Sequence, residues 1–167
     1  RGRVLRILGR SHAVRLPSHV ALRQARAAEA ALRRAGYSDV SIEAEYYSRG
    51  SDPHLGPGSG ITLWAEAQSS VLGADALGAR GKPAEKVGEE AASKLIKELR
   101  TEAALDSHMG DMIIPLAGLA HGYTDVTCSK VTSHTVTNLE VTRMILGIDA
   151  DLTEGSPCRI RVHGLGL

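Results

Sequence analysis

Ala21, Ala25, Ala28, Leu32 and Ala35 recur at alternating four- and three-residue steps within "LPSHVALRQARAAEAALRRAGYSD". That spacing puts the apolar residues on one stripe of a helix and fits no strand. Ser18, just after Pro17, is the expected N-cap, and Gly36 the expected terminator. The next segment changes period. "VSIEAEY" sets Val40, Ile42, Ala44 and Tyr46 against polar neighbours, the two-residue repeat of a half-buried strand. A strand over Arg3–Leu8 is expected before the helix. "SRGSDPHLGPGSG" reads as a glycine- and proline-rich loop, followed by the strands "ITLWAEA" and "SVLGADAL".

"KPAEKVGEEAASKLIKELR" predicts a second helix. Pro83 suits its first turn, Glu85, Glu89 and Glu90 lie toward its positive end, and Lys94, Lys97 and Arg100 toward its negative end. Asp106 is the expected cap of a third helix, "SHMGDMIIPLAGLA", with Pro115 as a bend. The strand "YTDVTCS" leads into "VTSHTVTN" and a fourth helix ending at Gly147. "IDADLT", "EGSP" and "CRIRVHG" form a closing hairpin. The order β-α-β-β-β-α followed by α-β-α-β-β predicts α+β layers, not a doubly wound parallel sheet, with a seam near residues 101–106.

Composition narrows the class. The 167 residues are 43% hydrophobic, so a core is affordable, yet they are only 3% aromatic with no Phe, so it must be aliphatic. No apolar run approaches the roughly 18 residues a membrane span needs. The first ten residues carry Arg1, Arg3, Arg6 and Arg10 and lack the apolar stretch of a secretory leader, so a cytoplasmic protein is expected. The chain opens "RGRV" without Met, as though continuing an upstream segment. Cys128 and Cys158 lack CxxC spacing; reduced, buried thiols are the expectation, with a disulfide the alternative. Residues 1–36 hold nine arginines against one acid, Glu29, which suits either a phosphate-facing surface or a solvated face.

Among motifs, "GPGSG" at 56–60 lacks the strand-then-helix context of a phosphate loop and reads as a turn. His108, Asp111 and His121 share a helix face only in part, and no HExxH or Cys/His cluster is present, so no motif assigns metal ligands. His134 stands apart. Thr132 or Ser133 can cap the helix that follows, which places the imidazole beside exposed amides where negative charge is favoured. A ring nitrogen facing a phosphate there is what a histidine nucleophile requires, although a lone His near a cap is more often structural.

"LPSHVALRQARAAEAAL", "GPGSGITLWAE", "LGADALGARGKPAEKVGEEAA", "DSHMGDMIIPLAGLA" and "TSHTVTN", in this order, resemble the C-terminal half of archaeal RNA 3'-terminal phosphate cyclases. The resemblance implies ATP-dependent conversion of an RNA 3'-phosphate end to a 2',3'-cyclic phosphate, with Mg²⁺ or Mn²⁺. It implies a nucleophile that becomes adenylylated, at His134, followed by Thr137 and Asn138. It also implies an adenylate-binding segment at His108, Met109, Gly110, Asp111 and Met112, with His108 as a stacking ring and Met112 where many members carry Gln. Residues 1–103 would be the insert domain, a small α/β unit. Residues 104–167 would close the last α-β repeat of a body shared with enolpyruvyl transferases, which alone carries the thought of a transferase of that kind. The family's "RGxxPxGGG" signature is absent, as are the N-terminal acidic, Gln and Arg residues for metal and phosphate, so a missing N-terminal half is an expected partner beside the RNA. A non-catalytic, RNA-binding or ribosome-biogenesis relative is the alternative; such relatives lack the histidine.

Overall fold

A computed structural model of the chain describes residues 1–48 and 50–166; Arg49, within the expected loop, and Leu167 lie outside the described residues. The chain divides into two compact units, one running from Arg3 to Lys97 and one from Glu98 onward together with Arg1 and Gly2. The α+β class and element order follow the expectation from sequence.

In the first unit, β1 (Val4–Val14), α1 (His19–Arg34), β2 (Val40–Tyr46), β3 (Gly58–Ala67) and β4 (Val71–Leu77) precede α2 (Ala84–Arg100), whose last turn runs past the unit's end at Lys97. The sheet order is β2-β1-β3-β4, with β1 and β2 parallel and the other pairs antiparallel. Two expectations are corrected here. β1 is 11 residues long and passes through the polar stretch Gly9-Arg10-Ser11-His12, where a strand ending at Leu8 was expected. The reason is burial of polar groups in pairs. Ser11 is fully buried, its hydroxyl 2.9 Å from both the Ala21 carbonyl and Gln24 Oε1 and donating to one at a time, while Gln24 Nε2 donates to Ser59 Oγ at 3.0 Å. Buried polar groups are tolerated when paired in this way. "GPGSG", expected to be a turn, instead opens β3 at Gly58, and Gly60 pairs with His12.

The α1 stripe buries Ala21, Ala25, Ala28 and Leu32 as expected, whereas Ala35 is the exposed C-cap. Gly36 takes a left-handed φ of 98° just beyond it. Ser18 occupies the N-cap position, but its side chain makes no capping hydrogen bond, which corrects its expected role. α1 and α2 meet at Gly88, where a Cβ would stand 2.2 Å from the Gln24 carbonyl oxygen.

In the second unit, α3 (Ser107–Leu119), β5 (His121–Cys128), α4 (Ser133–Leu146), β6 (Asp149–Thr153) and β7 (Cys158–Leu165) build an antiparallel sheet of order β5-β7-β6 with helices. Ile114, Ala117, Leu139, Ile148, Ala150, Ile160 and Val162 form its core. Asp106 caps α3 by accepting from the Met109 N–H, and α4 ends at left-handed Gly147, both as expected. The reduced-thiol expectation is corrected. Cys128 and Cys158 are directly opposite in the β5–β7 register, with Cα atoms 5.4 Å apart, and are joined as a disulfide. Their 30-residue separation hid a pairing that only strand register creates.

Candidate functional site

The stretch "VTSHTVTN" becomes the capped start of α4. Thr132 is the N-cap: its Oγ1 accepts from the backbone N–H groups of His134 and Thr135, each at 3.1 Å. Thr135 answers by accepting the Thr132 N–H on its own Oγ1 at 2.9 Å, which completes a capping box. Three of the amides a helix start leaves unpaired, those of Thr132, His134 and Thr135, are thereby satisfied. His134, in the first turn, is exposed. Its backbone is fixed while its ring is open to solvent.

The segment 108–112 divides by face. His108, Met109 and Met112 are exposed, whereas Gly110 and Asp111 are buried. Gly110 faces β5, where a Cβ would stand 2.7 Å from Cys128 Cβ, so its lack of a side chain sets a close helix–sheet approach. Asp111 faces α4. Its Oδ1 accepts the hydroxyls of Thr132 at 2.8 Å and Thr135 at 2.5 Å, and its backbone carbonyl accepts from Asn138 Nδ2 at 2.8 Å. The structure thus ties Asp111 to the turn that carries His134, a link that nothing in the spacing of the two motifs announced. Of the expected nucleotide-segment residues, His108, Met109 and Met112 are exposed to solvent, and the other two serve packing and hydrogen bonding within the unit.

The trio His108, Asp111 and His121 does not assemble. His121 opens β5, and among the described residues no group of three His, Cys, Asp or Glu side chains is placed to hold a metal ion. Three of the nine arginines in the arginine-rich start are paired with carboxylates. Arg6 pairs with Glu66 at 2.7 Å, Arg10 with Glu43 at 3.2 Å, and Arg23 with Glu85 at 2.6 Å. The hydrogen bond and charge of Glu66 raise the Arg6 guanidinium pKa, and those of Glu85 do the same for Arg23. Arg159 and then Arg161, on β7, hold the carboxyl of Asp125, on β5, below the usual range, chiefly through hydrogen bonds from Arg159.

Beside the site, the helices of this unit expose Met109, Met112, Leu116 and Leu119 on α3 and Val141, Met144 and Ile145 on α4. The α3 residues fall at three- and four-residue steps, one apolar stripe left open. Among the described residues, no helix is long and apolar enough to cross a membrane.

Comparison with known proteins adds three findings. The family model for the insert domain of RNA 3'-terminal phosphate cyclase matches residues 1–100. An RNA 3'-terminal phosphate cyclase of Hyperthermus butylicus is 52% identical over 99% of this chain and 48% of its own length. Proteins of the same name from Ignicoccus hospitalis (55% identical over 87% of this chain and 41% of its own length) and Staphylothermus marinus (51% over 100% and 48%) are similar in the same way. The chain spans about half the length of these curated relatives.

Proposed function

Since the chain belongs to the RNA 3'-terminal phosphate cyclase family, we propose that it supplies the nucleotidyl-transfer part of an enzyme that converts RNA 3'-phosphate ends to 2',3'-cyclic phosphates with ATP. A ring nitrogen of His134 attacks the α-phosphorus of ATP and the α–β bond breaks, expelling pyrophosphate and leaving AMP on the histidine. An oxygen of the RNA 3'-phosphate then takes the AMP, which frees His134 and leaves a phosphoanhydride. The neighbouring 2'-hydroxyl attacks the RNA phosphorus, loses its proton and closes the ring as AMP departs. Each displacement replaces one hard step by easier ones.

One observation carries this reading: an exposed histidine in the first turn of a helix whose backbone is fixed by a capping box. Fixed geometry is what an in-line displacement needs, and the positive end of α4 favours phosphate there. His108, Met109 and Met112, exposed on the first turns of α3, are the side chains proposed to meet the adenosine, with His108 as stacking surface. Mg²⁺ or Mn²⁺ is part of the proposed reaction, but the described residues offer no cage of three ligands for it, so no step is routed through it. The open apolar stripe on α3 and α4 is proposed to pack against the portion of the relatives that this chain does not span.

The test is covalent labelling with radioactive ATP in an intact enzyme containing this chain. AMP is expected on His134 through an acid-labile, base-stable phosphoramidate, and His134→Ala and His134→Asn are expected to abolish it. Label on another residue, or normal turnover in His134→Ala, overturns the assignment.

A further inference from the structure

We propose that Asp111, together with the gap Pro115 leaves in α3, is the device that positions His134; this deepens the nucleotidyl-transfer reading and rests on it. An α-helix carbonyl is normally taken by the N–H four residues later. For Asp111 that residue is Pro115, which has no N–H. Pro115 lies inside a 13-residue helix, and the carbonyl it leaves unclaimed accepts Asn138 Nδ2 from α4 at 2.8 Å. The side chain of the same residue accepts the hydroxyls of Thr132 and Thr135.

Residue 111 therefore holds the N-cap of α4 and two α4 side chains, at positions 132, 135 and 138, by its carboxylate and its carbonyl. Three-residue steps place these three on one side of the helix, facing α3. Asp111 is 7% exposed, and among the described residues it forms no ion pair, so its interactions run to hydroxyls of the His134 turn and not to a cation. Hydrogen bonds to a carboxylate are the strong kind. Thr132 is the keystone: the hydroxyl that caps His134 and Thr135 is the one that donates to Asp111. Asp111 acts on the nucleophile through that hydroxyl, as a positioning residue and not as a ligand of the nucleotide.

Two measurements test this. In the 167-residue chain, amide hydrogen exchange is followed at His134 and Thr135, with the β5–β7 ladder as internal reference. Asp111→Ala is expected to speed exchange at both amides while the ladder stays protected. In the intact enzyme, the rate of adenylylation at saturating ATP is expected to fall roughly 10- to 100-fold in Asp111→Ala, the scale of a small misplacement of the nucleophile. Half-saturation by ATP should stay near the wild-type value. Asp111→Asn, which keeps an acceptor in place, is expected to recover most of the rate, and Asn138→Ala to show the same signature more weakly.

A large rise in half-saturation with the saturated rate intact makes Asp111 a nucleotide ligand and overturns the proposal. So does an unchanged rate in Asp111→Ala, or exchange at His134 and Thr135 that does not move. Should Asp111→Ala lose its fold, Asn138→Ala and Thr135→Val decide: wild-type rates in both overturn it. If His134→Ala still labels normally, the nucleotidyl-transfer reading fails while the exchange result stands on its own.

Discussion

Gly88 lies close against the α1 backbone, and its replacement by Ala has a predictable sign. In an unobstructed helix, Gly→Ala stabilises by about 0.8–1 kcal/mol. Here the added Cβ would lie 2.2 Å from the Gln24 carbonyl oxygen and 3.0 Å from the Ala28 nitrogen. Ordinary contact begins near 3.5 Å, so more than ~1 Å of separation must open. The obstacle is backbone, and it has little room to retreat because the Gln24 side chain is fully buried and bonded to Ser11 and Ser59. Overpacking at such a place costs about 1–3 kcal/mol, and nearer its upper end where nothing yields. Subtracting the propensity gain leaves Gly88→Ala destabilised by about 1–2 kcal/mol. For a unit of this size that corresponds to a fall of roughly 5–15 °C in midpoint. Thermal unfolding of the chain by circular dichroism measures it. A midpoint equal to or above wild type would refute the reasoning, because propensity would then have outweighed the clash.

The remaining predictions concern charge and covalent closure. The depressed Asp125 carboxyl contributes stability that is present above the unfolded carboxylate value, about pH 4, and lost as pH falls through its lower folded value. Asp125→Asn should therefore lie below wild type at pH 6 and converge with it in acid; a gap that stays constant across an acid titration would sink this. Arg6, Arg10 and Arg23 already face carboxylates, so changing all three to Gln should alter the salt slope of RNA binding by less than the ~0.7 expected for one phosphate contact. A larger change would restore the phosphate-facing reading. The Cys128–Cys158 bond closes a 30-residue span, for which removal costs on the order of 3 kcal/mol; a midpoint indifferent to reductant would contradict it.

Local signals in the sequence were sufficient for the element order, the Asp106 cap, the Gly36 and Gly147 terminators and the capped turn at "VTSHTVTN". Each depends on residues within four positions of one another. What stayed hidden depends on partners far away in the chain. Ser11 reads as lying beyond the strand until Gln24, itself bonded to Ser59, is seen to meet it. The cysteines look free until β5 and β7 are in register. Asp111 reads as part of a nucleotide segment until Thr132, Thr135 and Asn138 arrive at it. His108 and His134 stood out in the sequence as motif residues, but the hydrogen bonds between their helices did not.

The gap at Pro115 also bears on the order in which this unit folds. As the chain emerges from synthesis, α3 is 13 residues long, about the length at which an isolated helix is marginal. It is weakened further by a carbonyl and a carboxylate at residue 111 whose partners lie 21 to 27 residues downstream. Until Asn138 has been made, α3 has little reason to persist. The two helices should consequently gain structure together, in one cooperative step, and native-state exchange should open them together as well.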